Sequence, residues 1–404
     1  MAPTEGVERI LRASAPHELV EKVREVLSGR HGATSVELLM ADYALARLQP
    51  VSPGTADAAG PVPVHGSAPG RAFGAQEAHV AAQGDEVAVH LPVSVRGDRL
   101  GVLSAVFPAD VYGSHLLGDL QETADALGHE LTVAERDTDL FLCARRATRL
   151  TLAAEMQWQL LPGRSCSRPE YDLGGHLEPA YAIFGDSFDW SASADDLVLT
   201  VNNGMGEGID AALLTHLAVS ALRNARRAGL ALADQAALAD QALYGQHRGR
   251  QYLAMLLLRF CLRTGEVEVV DAGSPRIWRL RRGVVEEVEL EAQLPLGMFE
   301  DTVYTSQRFR MLPGDRLFFV SDGVYDVVSP SGERYGLRAL TRVFMETRLL
   351  PPSQVPQAVL RALAQHRGEI KASDDAMVVC LDWRGRESAE TGAGTGAGTG
   401  AGGS

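Results

Sequence analysis

Val198 to Leu214 reads VLTVNNGMGEGIDAALL, and the C-terminal half of the chain is read outward from it. Leu197, Leu199 and Val201 recur at every second position, the period of a strand with one buried face. The run breaks at Asn202-Asn203-Gly204-Met205-Gly206-Glu207-Gly208, where three glycines fall on alternate positions. Ile209, Ala211, Ala212, Leu213 and Leu214 then begin a helix expected to reach about Arg227. Glycine allows positive φ or a close approach of backbone to another group, and a helix N-terminus presents unpaired amides. The stretch predicts a small polar site; a tight strand-to-helix turn without a ligand fits the same residues.

Three acidic clusters add to it. Phe184-Gly185-Asp186-Ser187-Phe188-Asp189-Trp190 lies upstream, Val320-Ser321-Asp322-Gly323-Val324-Tyr325-Asp326 follows a strand-like run from Arg316, and Ser373-Asp374-Asp375-Ala376 opens a last run, Met377 to Leu381. Each puts Asp at a strand end. A single Asp-Gly is a common turn, but separated carboxylates converging from strand ends suit hard, oxygen-seeking cations such as Mg²⁺ or Mn²⁺.

In this order GDSFDW, GMGEG, DAGSP (Asp271 to Pro275), LPGDRLFFVSDG (Leu312 to Gly323) and SDDAMVV resemble the metal-dependent (PPM-type) protein phosphatases, in the branch of the bacterial sporulation protein IIE. The likeness runs from about Thr151 to Trp383. It implies an α-β-β-α sandwich with two Mn²⁺ or Mg²⁺ ions, which activate a water that attacks phosphoserine or phosphothreonine. By position, Asp186, Asp322 and Asp374 match acidic metal ligands, with Asp186 and Asp322 the principal ones, and Gly204 matches a residue that offers its backbone carbonyl. Asp189, Asp326 and Asp375 are weaker candidates that would orient waters. Glu207 stands where the branch often has His or Asn. The branch commonly acts on anti-sigma factor antagonists, so a phosphorylated regulatory protein of that type is the implied partner.

The chain departs from the pattern at its centre. Asn203 occupies the place of the family's metal-bridging Asp, so Asp186, Asn203 and Asp322 form the candidate catalytic set. Asn offers one neutral carbonyl oxygen and an amide nitrogen that cannot ligate. Ser274 replaces a usual His, and Phe184 a usual glycine. A degenerate phosphatase that binds a partner without turnover is therefore the second expectation. A third is a sensor whose output is purely conformational.

With 404 residues, 46% hydrophobic and 22% charged, the chain reads as two or three globular domains. Its net charge of −14 argues against nucleic acid and against an anionic membrane surface. Cys143, Cys166, Cys261 and Cys380 show no metal-type spacing. With no basic-then-apolar start and no run long enough to span a bilayer, the expectation is a cytoplasmic protein.

The overall expectation is α+β. Residues 1–137 form an N-terminal α/β unit: a helical stripe at Leu19, Val20, Val23, Val26 and Leu27, a strand at Ser35 to Met40, a loop over Gly54 to Gly70, and a hairpin turning at Arg96-Gly97-Asp98-Arg99. Through LPVSVRGDRLGVLSAVF it resembles a GAF sensory domain. Leu120, Ala124, Leu127, Leu131 and Ala134, continued in a broken pattern by Leu140, Leu150, Ala153, Met156, Gln157 and Leu160, predict one long helix from Leu117 to Leu161. Its segment 138–165 would be a coiled-coil linker through which the chain forms a homodimer; packing of that stripe on its own domain is the alternative. The phosphatase-like unit spans 166–385, and the Gly/Ala/Thr tail, 386–404, has almost no apolar bulk and is expected to be disordered.

Overall fold

In the computed structural model the described residues are 3–51, 60–179, 181–182, 185–273, 275–370 and 374–386. The readings made on Phe184, Ser274, Ser373, the tail from 387 and the loop at 54–59 lie outside them.

The first unit begins with α1 (Pro3–Ala13) and α2 (Leu19–His31) and continues with β1 (Ser35–Ala41), β2 (Arg47–Pro50), β3 (Val62–Pro63), α3 (Ala68–Ala75), β4 (His79–Gln83), β5 (Glu86–Val95) and β6 (Asp98–Pro108). The strands form one sheet in the order β3-β2-β1-β6-β5-β4, antiparallel throughout. Val95 pairs with Asp98 across a two-residue turn in which Arg96 and Gly97 both take positive φ, 52° and 90°. That is the primed turn that matches strand twist. The stripe on α2 is buried as its spacing predicts. Helix α1, which the sequence reading left unassigned although Val7, Ile10 and Leu11 carry helical spacing, buries Val7 and Leu11. Helix α3 starts inside the stretch read as loop; Ser67 caps it, its hydroxyl accepting from the Gly70 amide at 3.0 Å.

The expected continuous connector is instead three helices, α4 (Leu116–Ala134), α5 (Leu140–Ala144) and α6 (Leu152–Leu160). Leu120, Ala124, Leu127 and Leu131 are fully buried within the core of the first unit, where α4 packs on β5 and α1. The stripe that looked like a dimer seam is used up by the chain's own sheet. Thr151 then restarts the chain as α6, its hydroxyl accepting from the Ala154 amide at 3.2 Å. Between α5 and α6 the Arg145 guanidinium turns inward, 5.3 Å from the Tyr43 ring centre and 3.7 Å from Glu135.

The C-terminal unit is built from β7 (Ser165–Arg168), β8 (Tyr171–Glu178), β9 (Ser187–Ala192), β10 (Asp196–Asn203), α7 (Gly208–Arg227), α8 (Leu232–His247), β11 (Ala254–Cys261), β12 (Glu266–Ala272), β13 (Arg276–Arg281), β14 (Val284–Glu287), β15 (Gln307–Arg310), β16 (Arg316–Val320), the short α9 (Asp322–Tyr325), α10 (Gly336–Glu346), α11 (Val355–Arg367) and β17 (Ala376–Trp383). Two sheets result, β15-β12-β11-β10-β9 and β14-β13-β16-β17-β8-β7. Alternate residues of facing strands, among them Leu197, Leu199, Val201, Leu258, Phe319 and Val379, fill the space between them. The other face of the first sheet packs on α7 and α8, and that of the second on α10 and α11. The layers are helix, sheet, sheet, helix. Trp278 and Trp383 are core residues, while Trp190 is half-buried and stacks on Phe188 at 5.7 Å.

The two units touch directly. The Ser167 amide donates to Arg96 O at 2.9 Å, the Arg164 amide to Asp98 Oδ1 at 2.9 Å, and Gln357 Nε2 to Leu45 O at 2.8 Å. Buried Arg99 donates to Ser353 O. Gly97 lies so close to Ser167 that a Cβ there would stand 3.0 Å from the Ser167 Cβ. No helix among the described residues is long and apolar enough to cross a membrane.

Candidate active site

The two sheets meet at the ends of β9, β10, β16 and β17, and Asp186, Asp322, Asp374 and Asp375 lie there. Gly185 and Asp186 enter β9, and all four of their backbone polar groups end on side chains. Asp375 Oδ2 accepts from Gly185 N at 2.7 Å and from Asp186 N at 3.1 Å. Gly185 O accepts from Thr215 Oγ1 at 2.8 Å and from Asn202 Nδ2 at 3.1 Å. Asp186 O accepts from Gln157 Nε2 at 3.3 Å. Buried backbone groups need such partners, and here four elements or their ends supply them.

Gly204 explains the first glycine of the turn. A Cβ at that position would lie 2.3 Å from Gly185 C and 2.7 Å from Asp186 N, so only glycine lets β10 end against the Asp186 loop. Its amide donates to Asp186 Oδ1 at 2.8 Å. Gly323 does the same on the second sheet, where a Cβ would stand 1.7 Å from Asp375 O. Asp322 and the Asp374-Asp375 pair are thereby brought side by side.

Asp186 is 1% exposed, and its Oδ2 has no hydrogen-bond partner among the described residues. Burial, and then the charge of Asp375, push its carboxyl well above the ordinary carboxylate range, against the pull of the Ser321 hydroxyl and the Gly204 amide. Burial also raises Asp374, where the Asp375 amide opposes the rise and the charge of Asp322 adds to it. A buried oxygen without a donor, beside further carboxylates, is a donor set suited to a hard divalent cation. It is not a finished cage. Among the described residues no three His, Cys, Asp or Glu side chains stand grouped as metal ligands, and Asp322 Oδ1 accepts from the next amide, that of Gly323, at 2.8 Å.

Asn203 is the last residue of β10, half-buried and paired with Ala254. By strand alternation it shares the inter-sheet face of Leu199 and Val201. Asp189, a weaker ligand candidate, is instead an ion-pair anchor: it is buried on β9 and binds Arg223 at 2.7 Å and Arg226 at 3.2 Å, fixing α7 to the sheet. Asp326 stands apart, exposed and 3.6 Å from Arg334. Asp375, read as a water-orienting residue, organises the Asp186 backbone. Glu207 is exposed at the N-cap of α7 and makes no side-chain cap. Sequence reasoning missed Asn202, Thr215 and Gln157. Only Asn202, next to Asn203, carried a signal of its own.

Residues 193–384 match the family Stage II sporulation protein E (SpoIIE). The match falls inside the two-sheet unit and covers a little under half of the chain. It supports the SpoIIE/PP2C phosphatase resemblance for that unit, and members of that family are metal-dependent phosphatases. No curated protein matches the chain. Among solved structures, the SiaA-PP2C domain of Pseudomonas aeruginosa is similar at 21% identity over 57% of this chain and 94% of that one, with a TM-score of 0.49. The RsbU and RsbW domains of a Mycobacterium tuberculosis protein show 23% identity over 54% and 61%, at 0.47. The SpoIIE phosphatase domain with a fragment of its regulatory domain, from Bacillus subtilis, shows 13% over 76% and 82%, at 0.47.

Proposed function

We propose that the chain is a metal-dependent protein phosphatase acting on phosphoserine or phosphothreonine of a regulatory protein of the anti-sigma factor antagonist type. The observation that carries this reading is Asp186: the Gly185-Asp186 backbone is tied down at all four polar groups and presents one carboxylate oxygen with no donor among the described residues, beside Asp374 and Asp375. Asp186, Asp322, Asp374 and the Gly204 carbonyl would hold two ions, Mn²⁺ or Mg²⁺. Bound divalent cations supply a nucleophilic water at neutral pH and offset charge on the phosphoryl oxygens. The chain's own part is to fix the Asp186 carboxylate through Gly204, Asp375 and Gln157, and to keep the inter-sheet floor of the site dry with Val201 and Phe188.

The first unit is proposed as a GAF-like regulatory module of a cytoplasmic protein. Its six-stranded antiparallel order and its contacts through Arg96, Asp98 and Arg99 support that role.

A second reading is favoured by Asn203, which cannot supply a bridging carboxylate: a phosphoprotein-binding domain without turnover. Mn²⁺-dependent hydrolysis of a generic phosphoester separates the two. Loss of a bridging carboxylate should cost at least the ~10–100-fold typical of outer-shell changes. Weak activity that rises with Mn²⁺, and at least that gain in Asn203→Asp, is the expected result. Equal rates would show that Asn203 does not limit catalysis, and no turnover by either form, on the phosphoester or on a phosphorylated antagonist, would favour the binding reading.

A further inference from the structure

The two units do not close on each other everywhere. Between the β5–β6 hairpin tip, the end of α4, the stretch around Arg145, α6 and the entry to β7 lies a cleft of about 820 Å³. That is within the range of small-molecule sites, which favour junctions between domains. Asp186, Asp322, Asp374 and Asp375 do not line it, so it is a place apart from the candidate active site.

Its wall holds guanidinium groups that the protein leaves incompletely paired. The Arg145 side chain is 13% exposed, and Glu135, its ion-pair partner, stands 3.7 Å away, too far for a hydrogen bond. Its Nε is buried with no partner among the described residues. Arg164 is buried. Its Nη1 donates to a carbonyl, Asp42 O, at 3.3 Å, and its Nη2 has no partner among the described residues. Both guanidiniums lie against the Tyr43 ring, 5.3 and 5.8 Å from its centre. Burial, and then the charge of Arg145, pull Arg164 down to about 9. Two like charges out of water, each with a donor left over, are unfavourable until an anion meets them.

The charges on the wall set how much negative charge is wanted. Arg96, Arg145, Arg164 and Arg168 face Asp98, Glu135 and Glu155 there, an excess of one positive charge with histidine counted as neutral. Two of those carboxylates are also engaged: Glu155 pairs with Arg146 at 2.5 Å, and Asp98 Oδ1 accepts from the Arg164 amide at 2.9 Å. A monoanion restores the balance. Trp158 and Trp190 line the same cleft, half-buried. Trp158 lies 4.6 Å from the Arg164 guanidinium, and Trp190 stacks on Phe188 at 5.7 Å. Aromatic side chains accept a flat ring by stacking, and a guanidinium fork matches a carboxylate with two parallel hydrogen bonds.

We propose that this cleft binds a small aromatic carboxylate, its carboxylate held by Arg145 and Arg164 and its ring beside Trp158 and Trp190.

The test uses the full chain, free of divalent metal, with cinnamate as the probe. Calorimetric titration should show saturable one-to-one binding at submillimolar concentration. Cinnamamide, the same flat ring without the charge, should bind about tenfold more weakly or worse, the scale of losing hydrogen bonds to a charged group. Arg145→Met should weaken cinnamate by a similar factor, at a melting temperature within a few degrees of wild type. Amide hydrogen exchange with and without cinnamate should show protection in peptides covering 141–146 and 158–168, and none in that covering 185–188. No saturable binding, equal affinity for the amide, unchanged affinity in Arg145→Met, or protection at 185–188 instead would each overturn the proposal. The two ligands are compared on wild type, so the outcome stays decisive if Arg145→Met does not fold. Binding is read without turnover, so the result is independent of whether the chain hydrolyses phosphoesters.

Discussion

Asn203-Gly204 is a dipeptide whose chemistry depends on its surroundings. Deamidation requires the Gly204 nitrogen to attack the Asn203 side chain. Here that nitrogen donates to Asp186 Oδ1 at 2.8 Å, and Gly204 is wedged against the Gly185 backbone. The folded protein should therefore resist deamidation, so that activity does not grow as a sample ages. Peptide mass spectrometry across residues 198–223 of folded and urea-unfolded protein checks this; conversion at equal rates would show that the turn is mobile. A second residue sets a pH dependence. His90, buried in β5 with Nδ1 2.8 Å from Ser104 Oγ, is pushed down to about 4 by burial and then by the neighbouring His79. A base whose folded pKa is depressed leaves the unfolded chain binding more protons in the interval, so its share of stability is full above about 6.5 and is lost as pH falls toward 4. Thermal melts should decline over that window, and His90→Gln should flatten the decline.

At the scale of elements, α4 is the instructive case. An apolar stripe at three- and four-residue steps specifies a helix with one buried face and says nothing of what buries it. The sheet of the first unit does so, so Leu127→Ala should cost about 2–5 kcal/mol of fold stability. Urea unfolding at two protein concentrations should give the same midpoint. A midpoint that rises with concentration would restore the stripe as a seam between copies.

At the scale of the whole molecule, the hairpin tip of the first unit is pressed onto β7, Arg99 reaches Ser353 O, and Gln357 reaches back to Leu45 O. Tyr43, 5% exposed, lies within the core cluster of the C-terminal sandwich. Units joined this closely should unfold together. Calorimetry should show one transition for wild type and two for the double variant Arg99→Ala/Gln357→Ala; two in wild type would mean that docking contributes little to stability.

What the sequence determined by itself was written within a few residues. The alternation at Leu197, Leu199 and Val201, the glycine at 204 where backbone crosses backbone, and Asp at strand ends predict elements and a site, because strand period and steric space are local properties. The helix that follows Gly208 was legible for the same reason. The tertiary structure decided the rest. It sent the α4 stripe inward, made Asp189 an ion-pair anchor for α7 rather than a site residue, and turned Asp375 and Gln157 toward the Asp186 backbone. Those outcomes depend on which surfaces meet across long stretches of chain, 29 residues from Gln157 to Asp186 and 189 from Asp186 to Asp375. A hydrogen bond between such distant residues leaves no periodic trace in the sequence, since only the packing of α6 and the two sheets brings its donor and acceptor into reach.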